Sequence, residues 1–380
     1  MDDFPAVPAS PGARWPTLAV VVPVRDGGRD FERCLRALRA SDYPEEVELI
    51  VVDDGSIDGS AELAGTLGAR VLRHERPLGP AAARNAGALA ATAPLLFFVD
   101  ADVAVHGKTL RRAVDHMDAD PGLAALFGSY DDNPAAPGTV SKFRNLLHHY
   151  VHQNGAFVGH LRPAHTFWTG CGLIRRRVFL DSGGFDPHLY RRPAIEDIEL
   201  GYRLSRSGWR IALAGDVQAT HLKRWTFAGM VRTDILCRGV PWMLLIWRSG
   251  VREGDLNVGI GQRLSVVATG LMLVSAAIGA FFGPALWVAA GALGTIVGLN
   301  ARFYRFLARR RGVVFASACV GLHIVYFFCC GASVAIAALI RFGPRARVVP
   351  ATVAGRADAA EDASAPAPRP SRRAAKRRMP

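Results

Sequence analysis

Short apolar runs alternate with amphipathic segments through the first 120 residues of the chain. Four runs are rich in Val, Leu, Ile and Phe, and their nearly continuous apolar character is typical of strands buried on both faces. The alternation predicts right-handed βαβ units, and therefore an α/β fold with a Rossmann-like, mostly parallel sheet flanked by helices. The predicted strands are Leu18–Val24, Glu48–Asp53, Arg70–Arg73 and Leu95–Asp100. The predicted helices are 30–40, 59–67, 80–91 and 107–119.

Two of the predicted strands end in carboxylates. The second strand runs into Asp53–Ser56 (Asp-Asp-Gly-Ser), and the fourth into Asp100–Asp102 (Asp-Ala-Asp). Asp-Gly-Ser alone is commonly a turn and a helix cap. Together, the two motifs are a stronger signal, because ligands of a parallel sheet bind beyond the carboxyl ends of its strands. Hard oxygen ligands suit Mg²⁺ or Mn²⁺, which can also hold a diphosphate, so we predict a site for a metal and a phosphorylated ligand.

Motifs of several other classes of site are absent from the sequence. No G-x-G-x-x-G follows the first strand and no G-x-x-x-x-G-K-[ST] occurs, which removes the main support for dinucleotide-binding and P-loop proteins. The six cysteines form no C-x-x-C pair, so we expect a reducing compartment and neither a disulfide framework nor a zinc cluster. His148 and His152 could share a helical face, but with no Cys or carboxylate nearby in the sequence we do not expect them to bind zinc.

The formal net charge of +13 is concentrated outside the predicted α/β domain. Residues 341–380 contain ten basic and three acidic residues, and residues 302–311 contain five arginines and no acid. Residues 1–263 are almost neutral. The excess therefore flanks two long uncharged stretches, as in membrane proteins, and we expect no nucleic-acid partner. The Ala-, Pro- and Arg-rich tail is expected to be disordered near anionic lipid head groups.

The two uncharged stretches predict a membrane region at 263–341. Gly283-Pro284 is a turn signal within the first stretch, which therefore predicts a helical hairpin. The second stretch is long for one span and short for two, so we predict one tilted span. The arginines at 302–311 fit a cytoplasmic linker. Three crossings would place the basic tail outside, against the positive-inside rule, so a re-entrant third segment or a hairpin with one non-crossing half is an alternative. The predicted spans are about 264–282, 284–300 and 313–340.

Six motifs, in this order, resemble those of glycosyltransferase family 2, whose members have the GT-A fold. The resemblance covers roughly Leu18 to Trp247, and the order and spacing of the motifs are more specific than any one of them. It implies a GT-A domain followed by C-terminal transmembrane helices. The motifs are Val21–Val24, Asp53–Ser56, Ala83–Gly87, Asp100–Asp102, Thr169–Gly172 and Glu196-Asp197.

The resemblance also assigns roles to particular residues. It implies that Asp53 contacts the nucleotide base, that Asp100 and Asp102 bind Mg²⁺ or Mn²⁺, and that Asp197 is the catalytic base. One metal and one base imply direct displacement with inversion. Taken alone, Glu196-Asp197 would fit an interaction with a helix dipole better. The expected nucleotide-sugar contacts are Pro23, Val24, Asp53, Asp54, Arg84, Asp100 and Ala101, the metal ligands Asp102 and Asp100, and the catalytic residues Asp197 and Glu196.

Further residues are expected around the acceptor and the diphosphate. Residues 221–225, His-Leu-Lys-Arg-Trp, lie in the register of the Gln-x-x-Arg-Trp motif of processive family members. His221 replaces the Gln, which argues against polymer synthesis. Lys223 and Arg224 are candidates for a diphosphate clamp, with a basic-aromatic segment at the membrane interface as an equal alternative. The expected acceptor-side residues are Thr169, Gly170, Cys171, Gly172 and Trp225.

The sequence thus predicts a multi-pass protein of the cytoplasmic membrane whose catalytic domain faces the cytoplasm. We expect it to move a sugar from a nucleotide-diphosphate sugar to a lipid-linked or membrane-proximal glycan acceptor. A processive polysaccharide synthase and a non-catalytic scaffold that keeps the fold are the alternatives. The predicted segments are an N-terminal extension (1–16), a GT-A domain (17–225), an interfacial amphipathic segment (226–262), the membrane region (263–341) and a disordered basic tail (342–380).

Overall fold

A computed structural model of the chain describes residues 15–190, 192–249 and 259–343. Most of the predicted N-terminal extension and basic tail lies outside these residues. The strands are β1 Leu18–Val24, β2 Val47–Asp53, β3 Arg70–Arg73, β4 Leu95–Val99, β5 Val103–Val105, β6 Leu123–Tyr130, β7 Leu161–Ala164, β8 Cys171–Arg175 and β9 Arg210–His221. The helices of the same part are α1 Gly28–Arg39, α2 Ser60–Thr66, α3 Pro80–Ala90, α4 Thr109–Ala119, α5 Thr139–Gln153, α6 Arg176–Asp181 and α7 Glu196–Arg206.

The strands form one mixed sheet in the order β3-β2-β1-β4-β8-β6-β9-β5, with β7 paired to β9. Its first half, β3-β2-β1-β4, is parallel throughout. From β8 onward antiparallel and parallel pairs are mixed, because β8 runs against both β4 and β6. The carboxyl ends of β1, β2 and β4 therefore lie at one edge of the sheet, and the two acidic motifs follow directly from β2 and β4.

Helices cover both faces of this sheet. Val20 and Val22 of β1 belong to a buried cluster with α1, α2 and α4, whereas their neighbours Ala19 and Val21 belong to a second cluster with α3, α6 and α7. Successive side chains of a strand point to opposite faces, so a strand in the middle of such a sheet must be apolar throughout. The predicted burial on both faces is confirmed for β1, β4 and most of β2, but it is wrong for the edge strand β3, which has no buried residue. Each of the four predicted strands is present within about one residue of its predicted ends.

The chain after β9 is helical. The helices are α8 Phe227–Arg232, a π-helical segment Thr233–Gly239, α9 Val240–Ser249, α10 Ile260–Gly279, α11 Ala285–Leu299, α12 Ala301–Arg311 and α13 Val313–Phe342. Helices α10 and α13 are long and apolar enough to cross a membrane. Helix α11 has only 15 residues and passes the same test only together with α12, from which it is bent by 68°. Two or three helical segments in the described part of the chain could therefore span a bilayer.

The first two apolar helices pack as a hairpin, as predicted from Gly283-Pro284. Gly279, at the end of α10, lies against Leu286 of α11, where a Cβ atom would come within 2.4 Å of that side chain. At the other end of the hairpin, Asn300 donates from Nδ2 to Ser265 Oγ at 3.0 Å. This buried amide fixes the position of the α11–α12 bend relative to α10.

Candidate active site

The first strand ends at the predicted nucleotide site. Pro23 is half-buried and Val24 is buried, and the Val24 carbonyl accepts a hydrogen bond from the Asp54 amide at 2.8 Å. Asp53 is fully buried at the end of β2, and its Oδ1 accepts a hydrogen bond from the Ser56 amide at 2.9 Å. Its Oδ2 lies 3.2 Å from Arg73 Nε but has no hydrogen-bond partner in the described part of the chain. This oxygen is buried beside the Arg73 guanidinium and keeps acceptor capacity that no hydrogen bond of the described residues uses.

Asp54 has a structural role that the sequence did not reveal. Its Oδ1 lies 2.7 Å from His74 Nδ1 and 2.8 Å from the Leu78 amide, and its Oδ2 accepts from the Gly79 amide at 2.8 Å. Burial raises the pKa of Asp54, but these three donors outweigh it and hold the pKa below its usual value. Asp54 thus fixes the loop that starts α3, and its nucleotide contact stays a prediction.

Arg84, on α3, joins the two predicted acidic centres. Its Nη2 donates to Asp100 Oδ1 at 2.6 Å and its Nη1 to Glu196 Oε1 at 2.9 Å. The guanidinium is 5% exposed, and its Nε is buried without a hydrogen-bond partner among the described residues. The sequence separates Arg84 and Glu196 by 112 positions. The bridge therefore places the end of β4 and the start of α7 in one site.

Asp197 lies beside Glu196 at the first turn of α7. Glu196 is tied to Arg84 and to the Ala194 amide. Asp197 Oδ1 accepts from the Ile198 amide at 2.8 Å, whereas the contacts of its Oδ2 among the described residues are long, 3.3 Å to the Thr169 amide and 3.5 Å to Thr169 Oγ1. Burial, and then repulsion by Glu196, raises the pKa of Asp197 to about 6. Of the two acids, Asp197 is therefore the better proton acceptor near neutral pH.

Asp102 faces His221, the last residue of β9. Asp102 Oδ2 lies 3.6 Å from His221 Nε2 and 3.9 Å from Lys223 Nζ. His221 Nδ1 lies 2.7 Å from Asn145 Oδ1 of α5. Because this oxygen is an acceptor, Nδ1 donates to it, and Nε2 is the ring nitrogen that faces the carboxylate. Burial raises the pKa of Asp102, but His221 and Lys223 outweigh it and hold that pKa below its usual value.

Asp102 Oδ2 and His221 Nε2 face each other as a pair that fits a divalent cation once Nε2 carries no proton. Carboxylate oxygen and a neutral imidazole nitrogen are both metal ligands, and the 3.6 Å separation is longer than a hydrogen bond. In residues 15–190, 192–249 and 259–343 no group of three or more His, Cys, Asp or Glu could hold a metal without other ligands. A cation here would therefore need oxygens from a bound diphosphate as well. The sequence pattern does not identify His221 as a candidate ligand, because its register with the Gln-x-x-Arg-Trp motif indicates only that a His replaces the Gln.

An aromatic cluster holds the His221 ring in place. Tyr130 stacks on it with ring centroids 4.3 Å apart and an angle of 7° between the planes. The other face of the cluster is made by His148 and Trp168, whose ring centroids lie 4.4 and 4.8 Å from that of Tyr130. Burial holds the pKa of His148 well below its usual value. His148 therefore acts here as a neutral aromatic ring beneath the site.

The segment Thr169–Gly172 packs tightly against this cluster. A Cβ atom at Gly170 would come within 2.3 Å of the Trp168 ring, and one at Gly172 within 2.3 Å of the Trp168 carbonyl oxygen. Both glycines are therefore required by close approach within the protein. Cys171 is fully buried in β8, and burial raises its pKa, so it is not a reactive thiolate. Thr169, through its contact with Asp197, is the member of this motif nearest to the acids.

The predicted basic-aromatic segment leaves β9 beside Asp102. Lys223 and Arg224 are both exposed, but Lys223 Nζ lies 4.9 Å from the Trp225 ring centroid and 3.9 Å from Asp102 Oδ2. Trp225 is half-buried, and its amide donates to Ser141 Oγ at 2.9 Å. Lys223 is thus the cation placed at the site, and Ala101 lies half-buried between the two acids of its motif.

Comparison with known proteins agrees with this architecture. Residues 19–183 match the family described as glycosyl transferase family 2. A pre-mycofactocin glycosyltransferase of Mycobacterium tuberculosis is 28% identical over 232 residues, which cover 58% of this chain and 46% of that protein. Glycosyltransferase AglE of Haloferax volcanii is 25% identical over 216 residues, covering 55% of this chain and 68% of that protein. The match to the mycobacterial relative thus spans less than half of its length.

A solved structure extends the likeness to the fold. The mannosyltransferase PcManGT of Pyrobaculum calidifontis, in complex with GDP-Man and Mn²⁺, aligns with a TM-score of 0.52 over 86% of this chain and 87% of that chain. The sequences are 17% identical, so this likeness concerns the fold alone. Together with the six motifs in their expected order, the match over residues 19–183 identifies a glycosyltransferase family 2 domain in this chain, and that domain has the GT-A fold.

Proposed function

We propose that this protein is a metal-dependent, inverting glycosyltransferase that takes a sugar from a nucleotide-diphosphate sugar and gives it to a membrane-proximal acceptor. The observation that carries the proposal is the Arg84 bridge. It brings Asp100, next to the Asp102–His221 pair, into the same site as Asp197, the acid whose pKa is raised to about 6. A leaving-group site and a base are thus adjacent.

The donor would lie across the carboxyl ends of β1, β2 and β4. Asp53 would accept an N–H group of the nucleobase at its Oδ2, which Arg73 flanks and which no hydrogen bond of the described residues uses. Lys223, at the other end of the site, would contribute a positive charge beside the diphosphate. The mannosyltransferase that shares the fold was solved with a nucleotide sugar, which supports this class of donor.

Asp102 and His221 are the residues that would hold Mg²⁺ or Mn²⁺, with Asp100 kept beside them by Arg84. When bound, such a cation offsets the negative charge that develops on the departing diphosphate. Arg84 fixes the orientation of Asp100, and Tyr130 and Asn145 orient the imidazole of His221.

Asp197 would take the proton of the acceptor hydroxyl. A carboxylate with a pKa of about 6 is ionised at neutral pH and is still a stronger base than an ordinary aspartate. Glu196 is tied to Arg84 and to a backbone amide, so we assign it a positioning role. Attack by the deprotonated acceptor on the face opposite the diphosphate gives inversion at the sugar carbon.

A panel of nucleotide sugars tests the proposal. The full chain, reconstituted with membrane lipid extract and Mn²⁺, should release nucleoside diphosphate from one donor, and Asp197→Asn and Asp102→Ala should each abolish that release. Donor binding by Asp197→Asn, measured by calorimetry, should persist, which serves as the folding control. Full turnover in either variant would reject the assigned roles.

Two other functions give different results in the same system. A processive synthase would yield products of increasing length, which electrophoresis resolves from a single addition. The replacement of Gln by His221 supports single addition. A scaffold would show no Mn²⁺-dependent heat with any nucleotide sugar.

A further inference from the structure

The linker helix α12 lines a cavity that the candidate active site does not use. The cavity has a volume of about 610 Å³ and is lined by Phe306 and four arginines. Three of them, here called the cavity arginines, are Arg302, Arg305 and Arg309. Their spacing of three and four residues places them on one face of the helix. Several guanidinium groups around one cavity repel one another, and an anion between them removes that repulsion.

The cavity arginines differ from the arginines that follow them. Arg310 Nη2 forms an ion pair of 2.6 Å with Asp132 Oδ2, and Arg311 donates to Asn133 Oδ1 at 3.2 Å. These two residues hold α12 to the loop after β6. In the described part of the chain, no carboxylate lies within ion-pair distance of a cavity arginine. Their charge is therefore available to a ligand.

The opposite face of α12 fixes its rotation. Phe303, Tyr304 and Leu307 are buried in a cluster with residues of α5 and α13. A helix with one face anchored in this way presents its other face outward in one orientation. The cavity arginines are exposed on that outward side. The arrangement is therefore a rigid feature of the fold.

The position of α12 indicates where its anion comes from. The helix follows α11 after a 68° bend and is joined through Gly312 to α13, which is long and apolar enough to cross a membrane. A short basic helix that adjoins a membrane helix lies at the level of the lipid head groups. The anion available at that level in high local concentration is the phosphate of a lipid.

The cavity also lies close to the candidate metal site. The Phe306 ring stacks on His149, with centroids 5.8 Å apart and an angle of 15°. His149 Nδ1 lies 2.8 Å from the carbonyl oxygen of Tyr130, whose ring stacks on His221. Two side chains and the end of β6 thus connect the cavity to the metal site.

We propose that the cavity arginines bind the phosphate of an anionic lipid and so hold the catalytic face against the bilayer. The proposal goes beyond sugar transfer and does not require Asp197 to be the base. Free phosphate offers the same chemistry, so the test must separate the two sources.

The experiment measures lipid binding by the full chain in neutral detergent. Dioctanoyl phosphatidic acid is titrated by calorimetry, with dioctanoyl phosphatidylcholine and inorganic phosphate as separate arms. The test variant is Arg302→Gln/Arg305→Gln/Arg309→Gln. A matched control, Arg33→Gln/Arg36→Gln/Arg177→Gln, removes three exposed arginines of α1 and α6 and the same total charge.

We expect the test variant to bind phosphatidic acid at least about tenfold more weakly than the wild type, and the control variant to bind within about twofold. Phosphatidylcholine and inorganic phosphate should bind far more weakly than phosphatidic acid. Inorganic phosphate binding as tightly as the lipid would reject a lipid source. Equal losses in the test and control variants would show a general charge effect and overturn the proposal. If the test variant does not fold, Arg305→Gln alone should still show a measurable loss, and its absence would count against the site.

Discussion

Proton uptake by Asp197 should appear directly in the pH dependence of catalysis. Burial and Glu196 raise its pKa to about 6, so the ionised base is lost as the pH falls through that value. At pH 5, one unit below, only about one tenth of the molecules keep the base ionised, and kcat/KM should fall about tenfold from its plateau. Asp102, whose pKa lies below its usual value, stays ionised over the same range.

The assay is initial-rate nucleotide release from pH 4.5 to 8.5 at saturating Mn²⁺. Saturating metal separates the base from His221, because loss of a metal ligand by protonation is reversed by more metal, whereas protonation of the base is not. Glu196→Gln removes the second cause of the raised pKa and should move the acidic limb to lower pH. An acidic limb near pH 4 in the wild type, or one that does not move in Glu196→Gln, would show that Asp197 is not the base that limits the rate in acid.

Three further substitutions test separate parts of the structure. Asn145→Leu removes the oxygen that accepts the hydrogen bond from His221 Nδ1, and it should weaken Mn²⁺ binding about tenfold. The binding is measured by electron paramagnetic resonance in the presence of nucleoside diphosphate. The control Asn145→Asp keeps an acceptor at this position and should bind Mn²⁺ nearly normally. Gly172→Ala should lower stability by roughly 1–3 kcal/mol, seen as a lower melting temperature, because its Cβ would fall 2.3 Å from the Trp168 carbonyl oxygen. Asp54→Ala should lower the melting temperature at pH 7. Because the folded protein lowers the pKa of Asp54, the contribution of this carboxylate to stability is present above the unfolded pKa of about 4 and is lost as the pH falls. The difference in melting temperature between the variant and the wild type should therefore shrink in acid. An unchanged difference at pH 3 would contradict the last of these.

Strands β1, β2 and β4 could be predicted from the sequence because they are largely buried on both faces and read as nearly continuous apolar runs. The edge strand β3 has only two apolar residues, and both of its ends are exposed. The apolar runs of β2 and β4 end at Asp53 and just before Asp100. The edge of the sheet that carries the site could therefore be predicted from the change from apolar to acidic residues. The mixed half could not be derived in this way. Strands β5 and β7 have three and four residues, too few to show a period, and they take their places by pairing with the long β9.

The connections within the site depend on contacts between distant parts of the chain. Arg84 was expected near the nucleotide, but its bridge between Asp100 and Glu196 spans 112 positions, and no local pattern records it. The pairing of His221 with Asn145 spans 76 positions in the same way. The hydrogen bonds of Asp54 to His74 and Leu78 could not be predicted from the sequence either, because an Asp-Asp-Gly-Ser turn is compatible with either acid facing a ligand.

In the proposed mechanism, Asp102 and His221 together hold a divalent cation against the donor diphosphate, within reach of Asp197. Crystals grown with the cognate nucleotide sugar and Mn²⁺, measured at the manganese absorption edge, test it most directly. We predict one anomalous peak within coordination distance of Asp102 Oδ2 and His221 Nε2, with the sugar carbon between it and Asp197. A cation bound elsewhere, or a diphosphate that does not bind next to Asp102 and His221, would show that these two residues do not form the metal site.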